Sequence, residues 1–127
     1  MSGYIANIEE KTEANDYFRE VLFTAPHCQL VVMSLNPNED IGEETHADVD
    51  QFLRVERGEG KAVLDGEETS IHDGFCVVVP AGTKHNIINT SSSEKLKIYT
   101  IYSPAHHRDG TIHKTKAEAL ADEEDHV

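Results

Sequence analysis

The chain has 127 residues and a net charge of −13, because 24 acidic residues outnumber 11 basic ones. This length fits one domain with its own hydrophobic core and is too short for two. So strong a negative charge repels phosphate backbones and anionic lipid surfaces, so we expect neither a nucleic-acid partner nor a membrane partner. No apolar run in the sequence approaches the roughly 20 residues of a membrane span.

The cysteines and the first residues bear on the compartment. Residues 1–10 lack the basic segment followed by an apolar segment that marks a signal peptide. Cys28 and Cys76 form neither a disulfide framework nor a metal-binding spacing. We therefore expect two buried thiols in a reducing environment, and a cytoplasmic protein.

The first third of the chain begins with a polar arm. Residues 3–20 are predicted to hold a short edge strand or irregular segment, then a turn of helix near 15–19. Residues 21–24 and 29–35 are rich in β-branched or alternating apolar residues and predict two strands. Residues 36–40 (NPNED) have the composition of a turn.

The rest of the chain continues the strand pattern. Alternating or β-branched segments predict strands at 51–56, 61–64, 68–71, 75–79 and 96–102. Asp65 and Gly66 are a strong signal for a two-residue hairpin. The run 75–79 is apolar throughout and is expected to be buried on both faces. Residues 114–122 favour a short C-terminal helix. Short strands separated by repeated turn signals predict an all-β sandwich or barrel.

The most specific pattern is GFCVVVPAGTKHNIIN, residues 74–89. Its strand stops at Pro80, which cannot donate to a ladder, and Gly82 suits a tight turn. His85 and Asn89 then share one strand face, because side chains of a strand alternate. The spacing resembles the second motif of the cupin superfamily, whose fixed positions are filled here by Gly74, Pro80, Gly82, His85 and Asn89.

A second segment, residues 44–58, resembles the first cupin motif in a degenerate form. That motif places His, one residue, His, three or four residues, Glu, then six residues and Gly. Counting back from Gly58, Gln51 stands where the family has Glu. His46 stands in the place of the second His, and Glu44 in the place of the first.

The resemblance implies one divalent metal per chain. The predicted ligands are Glu44, His46, Gln51 and His85, with Asp48 as a substitute for Glu44 because it shares the same strand parity. Imidazole with carboxylate and amide oxygen suits Fe(II), Ni(II) or Zn(II), and the oxygen-rich set favours Mn(II). Gln51 could equally hydrogen-bond substrate or water. His106 and His107 lie outside both motifs and are expected in a solvated loop.

The whole chain resembles the small bacterial single-domain cupins labelled mannose-6-phosphate-isomerase-like. This implies a jelly-roll barrel core over about 21–103, an N-terminal arm 1–20, a C-terminal loop and helix 104–127, and a homodimer. The function stays open between two classes. One is a metal-dependent enzyme acting on a small polar metabolite, as an isomerase, dioxygenase or lyase. The other is a non-catalytic, metal-dependent module that binds or senses a small molecule.

Overall fold

The computed structural model describes residues 2–122. Within that range the chain forms strands throughout, with a short helix near each end. In chain order the elements are α1 (Ile8–Ala14), β1 (Arg19–Thr24), β2 (Gln29–Leu35), β3 (Asp50–Arg57), β4 (Glu59–Leu64), β5 (Glu67–His72), β6 (Cys76–Val79), β7 (His85–Asn89), β8 (Leu96–Ser103), β9 (Ile112–His113) and α2 (Lys116–Ala121). The predicted all-β fold with a short C-terminal helix is therefore confirmed.

The strands form two antiparallel sheets. The larger has the order β6-β3-β8-β2-β1-β9 and the smaller the order β5-β4-β7. One hydrophobic core contains buried side chains of both sheets, for example Leu53 and Ile98 from the larger and Ala62 and Ile87 from the smaller. The two sheets therefore face each other across that core, as in a jelly roll.

Local sequence rules predict several elements correctly. The side chains of β3 alternate as expected, with Gln51 and Leu53 buried and Arg54 exposed. Asp65 and Gly66 join β4 to β5 with φ angles of 49° and 84°, the two positive values that a type I′ hairpin turn requires. Of the described residues, none belongs to a helix long and apolar enough to cross a membrane.

The helix expected near residues 15–19 lies earlier in the chain, so that prediction is wrong. Asn7 begins α1, because its side-chain oxygen accepts a hydrogen bond from the Glu10 N–H at 3.1 Å. Asn15 ends it, since its Oδ1 accepts from the Tyr17 N–H at 3.0 Å and replaces the helical pattern with a turn. Capping by the two asparagines therefore fixes the bounds of this helix.

Strand β6 is also different from its prediction. It belongs to the larger of two facing sheets, and only one face of such a sheet meets the core. Val77 and Val79 are buried, whereas Val78 is 58% exposed and Cys76 is exposed. Cys28, in the turn between β1 and β2, is exposed as well. The expectation of two buried thiols is therefore wrong.

Candidate metal centre

The two motif segments are joined by backbone hydrogen bonds. The Glu44 N–H donates to the His85 carbonyl and the His85 N–H donates to the Glu44 carbonyl, both at 2.9 Å. The Gly82 N–H donates to the His46 carbonyl at 2.7 Å, and Gly82 has φ +86°, a conformation that favours glycine. These contacts hold the start of β7 against the segment before β3.

Three potential metal ligands meet at this junction. Within residues 2–122, Glu44, His46 and His106 each offer one ligand atom, and these atoms all lie within 4.8 Å of one another. His46 Nε2 is 3.4 Å from Glu44 Oε2, and its ring centre is 4.1 Å from that of His106. We call these three residues the Glu44 cluster.

His85 lies beside the Glu44 cluster, with its ring centre 5.1 Å from that of His46. Its Nδ1 is 2.9 Å from the Thr83 carbonyl oxygen. A carbonyl can only accept, so Nδ1 carries a hydrogen, and Nε2 is the nitrogen left to bind a metal. A backbone carbonyl that orients the second nitrogen in this way is the usual support of a metal-binding histidine.

Burial keeps His46 neutral. Loss of solvent lowers the pKa of His46 to about 4, and the positive fields of His106, His85 and Arg19 act in the same direction. At neutral pH the imidazole therefore has a free lone pair, which a metal ligand must have.

Gln51 begins the buried face of β3 and is 4% exposed. Its Nε2 donates to Thr100 Oγ1 at 3.0 Å. Its Oε1 is buried and has no hydrogen-bond partner among residues 2–122. Leaving such an oxygen unsatisfied is costly, so this atom fits the role of accepting from a metal-bound molecule or contacting the ion itself.

The predicted substitute ligand, Asp48, is exposed and does not belong to the Glu44 cluster. The neighbouring Asp50 is engaged elsewhere, because its Oδ1 accepts from the Ala81 N–H at 2.8 Å. Of the two alternatives for the carboxylate, the arrangement therefore favours Glu44 over Asp48.

The expectation that His106 and His107 lie in a solvated loop is wrong. Gln29, which is fully buried, folds this segment back onto the site. Its Oε1 accepts from the His106 and His107 N–H groups at 3.2 and 3.0 Å, and its Nε2 donates to the His107 carbonyl at 2.7 Å. His107 is buried, with its Nε2 3.3 Å from the Tyr102 hydroxyl. The sequence signal that could have indicated a role for His106 in the site is the pair of adjacent histidines shortly after the last long strand, β8.

A cavity of about 300 Å³ opens beside the Glu44 cluster. Its lining includes Phe18, Arg19, Ile41, Glu44, His106 and Lys116. This volume lies at the lower end of ligand pockets. The cavity can therefore hold a small metabolite beside Glu44 and His106, which both line it.

Comparison with known proteins decides the family. Residues 31–102 match the family model described as the cupin domain. The chain belongs to the cupin family. It is 44% identical over 127 residues to the uncharacterised protein YrkC of Bacillus subtilis, a match that covers 95% of this chain and 68% of YrkC. It is 49% identical over 112 residues to the uncharacterised protein L612 of Acanthamoeba polyphaga mimivirus, covering 86% of this chain and 70% of L612.

A solved structure supports the same conclusion. The crystal structure of BH2720 from Bacillus halodurans is 42% identical, with a TM-score of 0.91 and 93% of each chain covered. Cupins often bind a divalent metal, and the donor chemistry of the Glu44 cluster fits one. Imidazole nitrogen and carboxylate oxygen are ligands that Mn(II), Fe(II), Ni(II) and Zn(II) accept. This cupin thus has a possible Glu/His metal site.

Proposed function

We propose that this cupin binds one divalent metal through Glu44, His46, His85 and His106 and acts on a small polar metabolite held beside it. The observation that carries the proposal is the convergence of the three donor atoms of the Glu44 cluster within 4.8 Å, at the wall of a cavity of about 300 Å³. Mn(II) is the first metal to test, and Fe(II), Ni(II) and Zn(II) are the alternatives.

Some residues of the proposed site would bind the ion, and others form the wall behind it. A bound divalent ion supplies Lewis acidity towards substrate oxygens. His46 and His85 provide imidazole nitrogens, and the Glu44 carboxylate provides negative charge. Behind them, the buried Tyr102 ring lies 6.0 Å from the His46 ring and its hydroxyl contacts His107. These two side chains are buried, so a ligand would approach the cluster from the cavity.

Metal analysis tests the site. Protein purified without added metal is expected to contain about one Mn or Fe per chain, whereas His46→Ala and His85→Ala reduce the content to background. His72→Ala is the matched control, because His72 is exposed at the end of β5. Full metal content in both site variants would overturn the proposed ligand set.

A non-catalytic binding or sensing module is the second candidate. Glu44 and Gln51 replace the His and Glu of the first cupin motif. Two of its usual metal ligands are therefore changed, which favours a protein that keeps the fold without catalysing a reaction. A metabolite screen separates the two candidates. Turnover that disappears with a chelator supports an enzyme, whereas saturable thermal stabilisation without turnover supports a binding module.

We also propose a homodimer in the cytoplasm, as the resemblance to small cupins implies. The exposed face of the outer strand β6, with Val78, is the surface to probe. Light scattering coupled to size exclusion is expected to give twice the chain mass, and Val78→Lys to shift it towards the monomer. A wild-type monomer at every concentration would contradict the dimer.

A further inference from the structure

Arg19, the first residue of β1, is a buried cation in the lining of the cavity. It is 7% exposed. Its Nη1 is 3.2 Å from His113 Nδ1, but its Nε is buried without a hydrogen-bond partner among residues 2–122. In the same part of the chain no carboxylate forms an ion pair with it. A buried guanidinium that lacks an anion is costly, and removing its partner typically destabilises a protein strongly.

The orientation of Arg19 is fixed from behind. His113, which is buried, has its Nε2 2.9 Å from Asp122 Oδ2. A carboxylate accepts, so Nε2 carries the hydrogen and Nδ1 accepts from Arg19 Nη1. The Phe18 ring lies 5.1 Å from the guanidinium carbon. With Nη1 occupied, the edge formed by Nε and Nη2 remains for a further acceptor.

That edge selects a particular kind of anion. Two parallel N–H groups match the two oxygens of a carboxylate in a planar, bidentate pair. The other cation of the lining, Lys116, is already paired with Asp40, with 2.5 Å between Nζ and Oδ1. The Glu44 side chain adds negative charge to the same wall. One uncompensated cation balances a monoanionic carboxylate and would leave a phosphate dianion short of positive charge.

We propose that Arg19 is the anion-binding group of this site and that the ligand is a small carboxylate with a second oxygen donor. The carboxylate binds the Nε edge of Arg19, and the second oxygen faces the Glu44 cluster. This inference rests on the proposed function, since the cluster supplies the other half of the site. It narrows the substrate class from small polar metabolites to small organic acids.

Calorimetric titration with lactate is the first test, using Mn(II)-loaded wild-type protein. Lactamide is the neutral control of the same shape, and inorganic phosphate represents the other oxyanion. Lactate is expected to bind at least about tenfold more tightly than either, since charge-assisted hydrogen bonds are the stronger class. Equal binding of lactamide or phosphate would overturn the carboxylate assignment, and so would a failure of lactate to bind.

Variants locate the binding group. Arg19→Lys keeps the charge but loses the two-pronged edge, and is expected to weaken lactate binding about tenfold while the metal content stays unchanged. Arg54→Lys is the matched control, because Arg54 is exposed on the outer face of β3 and pairs with Glu56. Lactate binding that Arg19→Lys leaves unchanged would overturn the inference.

A measurement on the unaltered chain keeps the test independent of variant folding. In 15N-labelled wild-type protein loaded with diamagnetic Zn(II), lactate is expected to shift one arginine Nε–H resonance, which the Arg19→Lys spectrum identifies. An unmoved resonance at saturating lactate counts against the inference. The two proposals fail separately. If the protein contains no metal but binds lactate through Arg19, only the metal site is contradicted. If the protein binds metal but Arg19→Lys does not change lactate binding, only this inference is contradicted.

Discussion

The ring centres of His46 and His106 lie 4.1 Å apart, although one residue precedes β3 and the other follows β8. This contact changes how the degenerate first motif is understood. Glu44 stands where cupins have a histidine, and Gln51 stands where they have a glutamate. With His106 added, two imidazoles and one carboxylate converge within 4.8 Å, and the His85 ring lies beside them. The histidine and carboxylate donors that are usual in cupins are thus both present here, but they come from different sequence positions.

His106→Gln is expected to lower metal affinity about tenfold or more, because it removes one nitrogen donor from the Glu44 cluster. Competition against a fluorescent chelator measures the affinity directly. His27→Gln is the control, since His27 is exposed in the turn between β1 and β2. Equal affinity in the two variants would show that His106 packs against His46 without binding the metal.

Gln51→Glu is expected to raise affinity for Mn(II), because a negative donor would replace the buried amide oxygen that has no partner in the described part of the chain. The same change is expected to destabilise the metal-free protein, since a buried charge without a partner is costly. Calorimetric titration and thermal unfolding with and without Mn(II) measure both effects. An unchanged affinity would indicate that Gln51 faces the ligand.

The pH dependence of stability follows from His46. The pKa of His46 falls from 6.5 to about 4 on folding, so between these values the unfolded chain binds more protons than the folded chain. The metal-free protein therefore loses stability as the pH decreases through that window, by about 3 kcal/mol in total. Urea unfolding across the window is expected to show this slope in wild type and a flatter one in His46→Gln. Identical slopes would assign the effect to other groups.

Asn89, the last fixed position of the second motif, is a structural residue. It is 1% exposed, and its Nδ2 lies 2.9 to 3.1 Å from the carbonyl oxygens of Leu35, Asn36 and Glu94. Asn89→Ala is expected to cost about 3 kcal/mol of unfolding free energy, about 1 kcal/mol for each of the two Nδ2 hydrogens and for the backbone N–H bond that Oδ1 accepts. Denaturant unfolding measures this loss, with the exposed neighbour variant Thr90→Ala as control. A loss of metal from folded Asn89→Ala protein would contradict a purely structural role.

Local patterns were sufficient where the structure depends on neighbours in sequence. The alternation of β3, the Asp65-Gly66 hairpin and the shared face of His85 and Asn89 all follow from strand periodicity and turn chemistry. The place of Glu44 and His46 near His85 followed from the two motifs. Whether these residues bind a metal stays a prediction.

Other features depend on contacts that no local pattern encodes. Cys76 and Val78 are exposed because they lie on the face of β6 that points away from the core. The burial of His107 and the placement of His106 depend on the side chain of Gln29, far away in sequence. Arg19 lies where the polar N-terminal arm ends and the apolar residues of β1 begin. Its contact with His113 depends on the pairing of β1 with β9, which are far apart in sequence.

The reciprocal backbone hydrogen bonds between Glu44 and His85 have a consequence for assembly. Under the proposed ligand set, three separate segments supply the ion's ligands, and none supplies more than two. A partly folded chain therefore cannot offer the ion all of its ligands. The amount of bound metal would then be proportional to the amount of native protein. An ion that binds only the completed fold stabilises it, so under this proposal a larger metal supply would lower the fraction of molecules that unfold and are degraded.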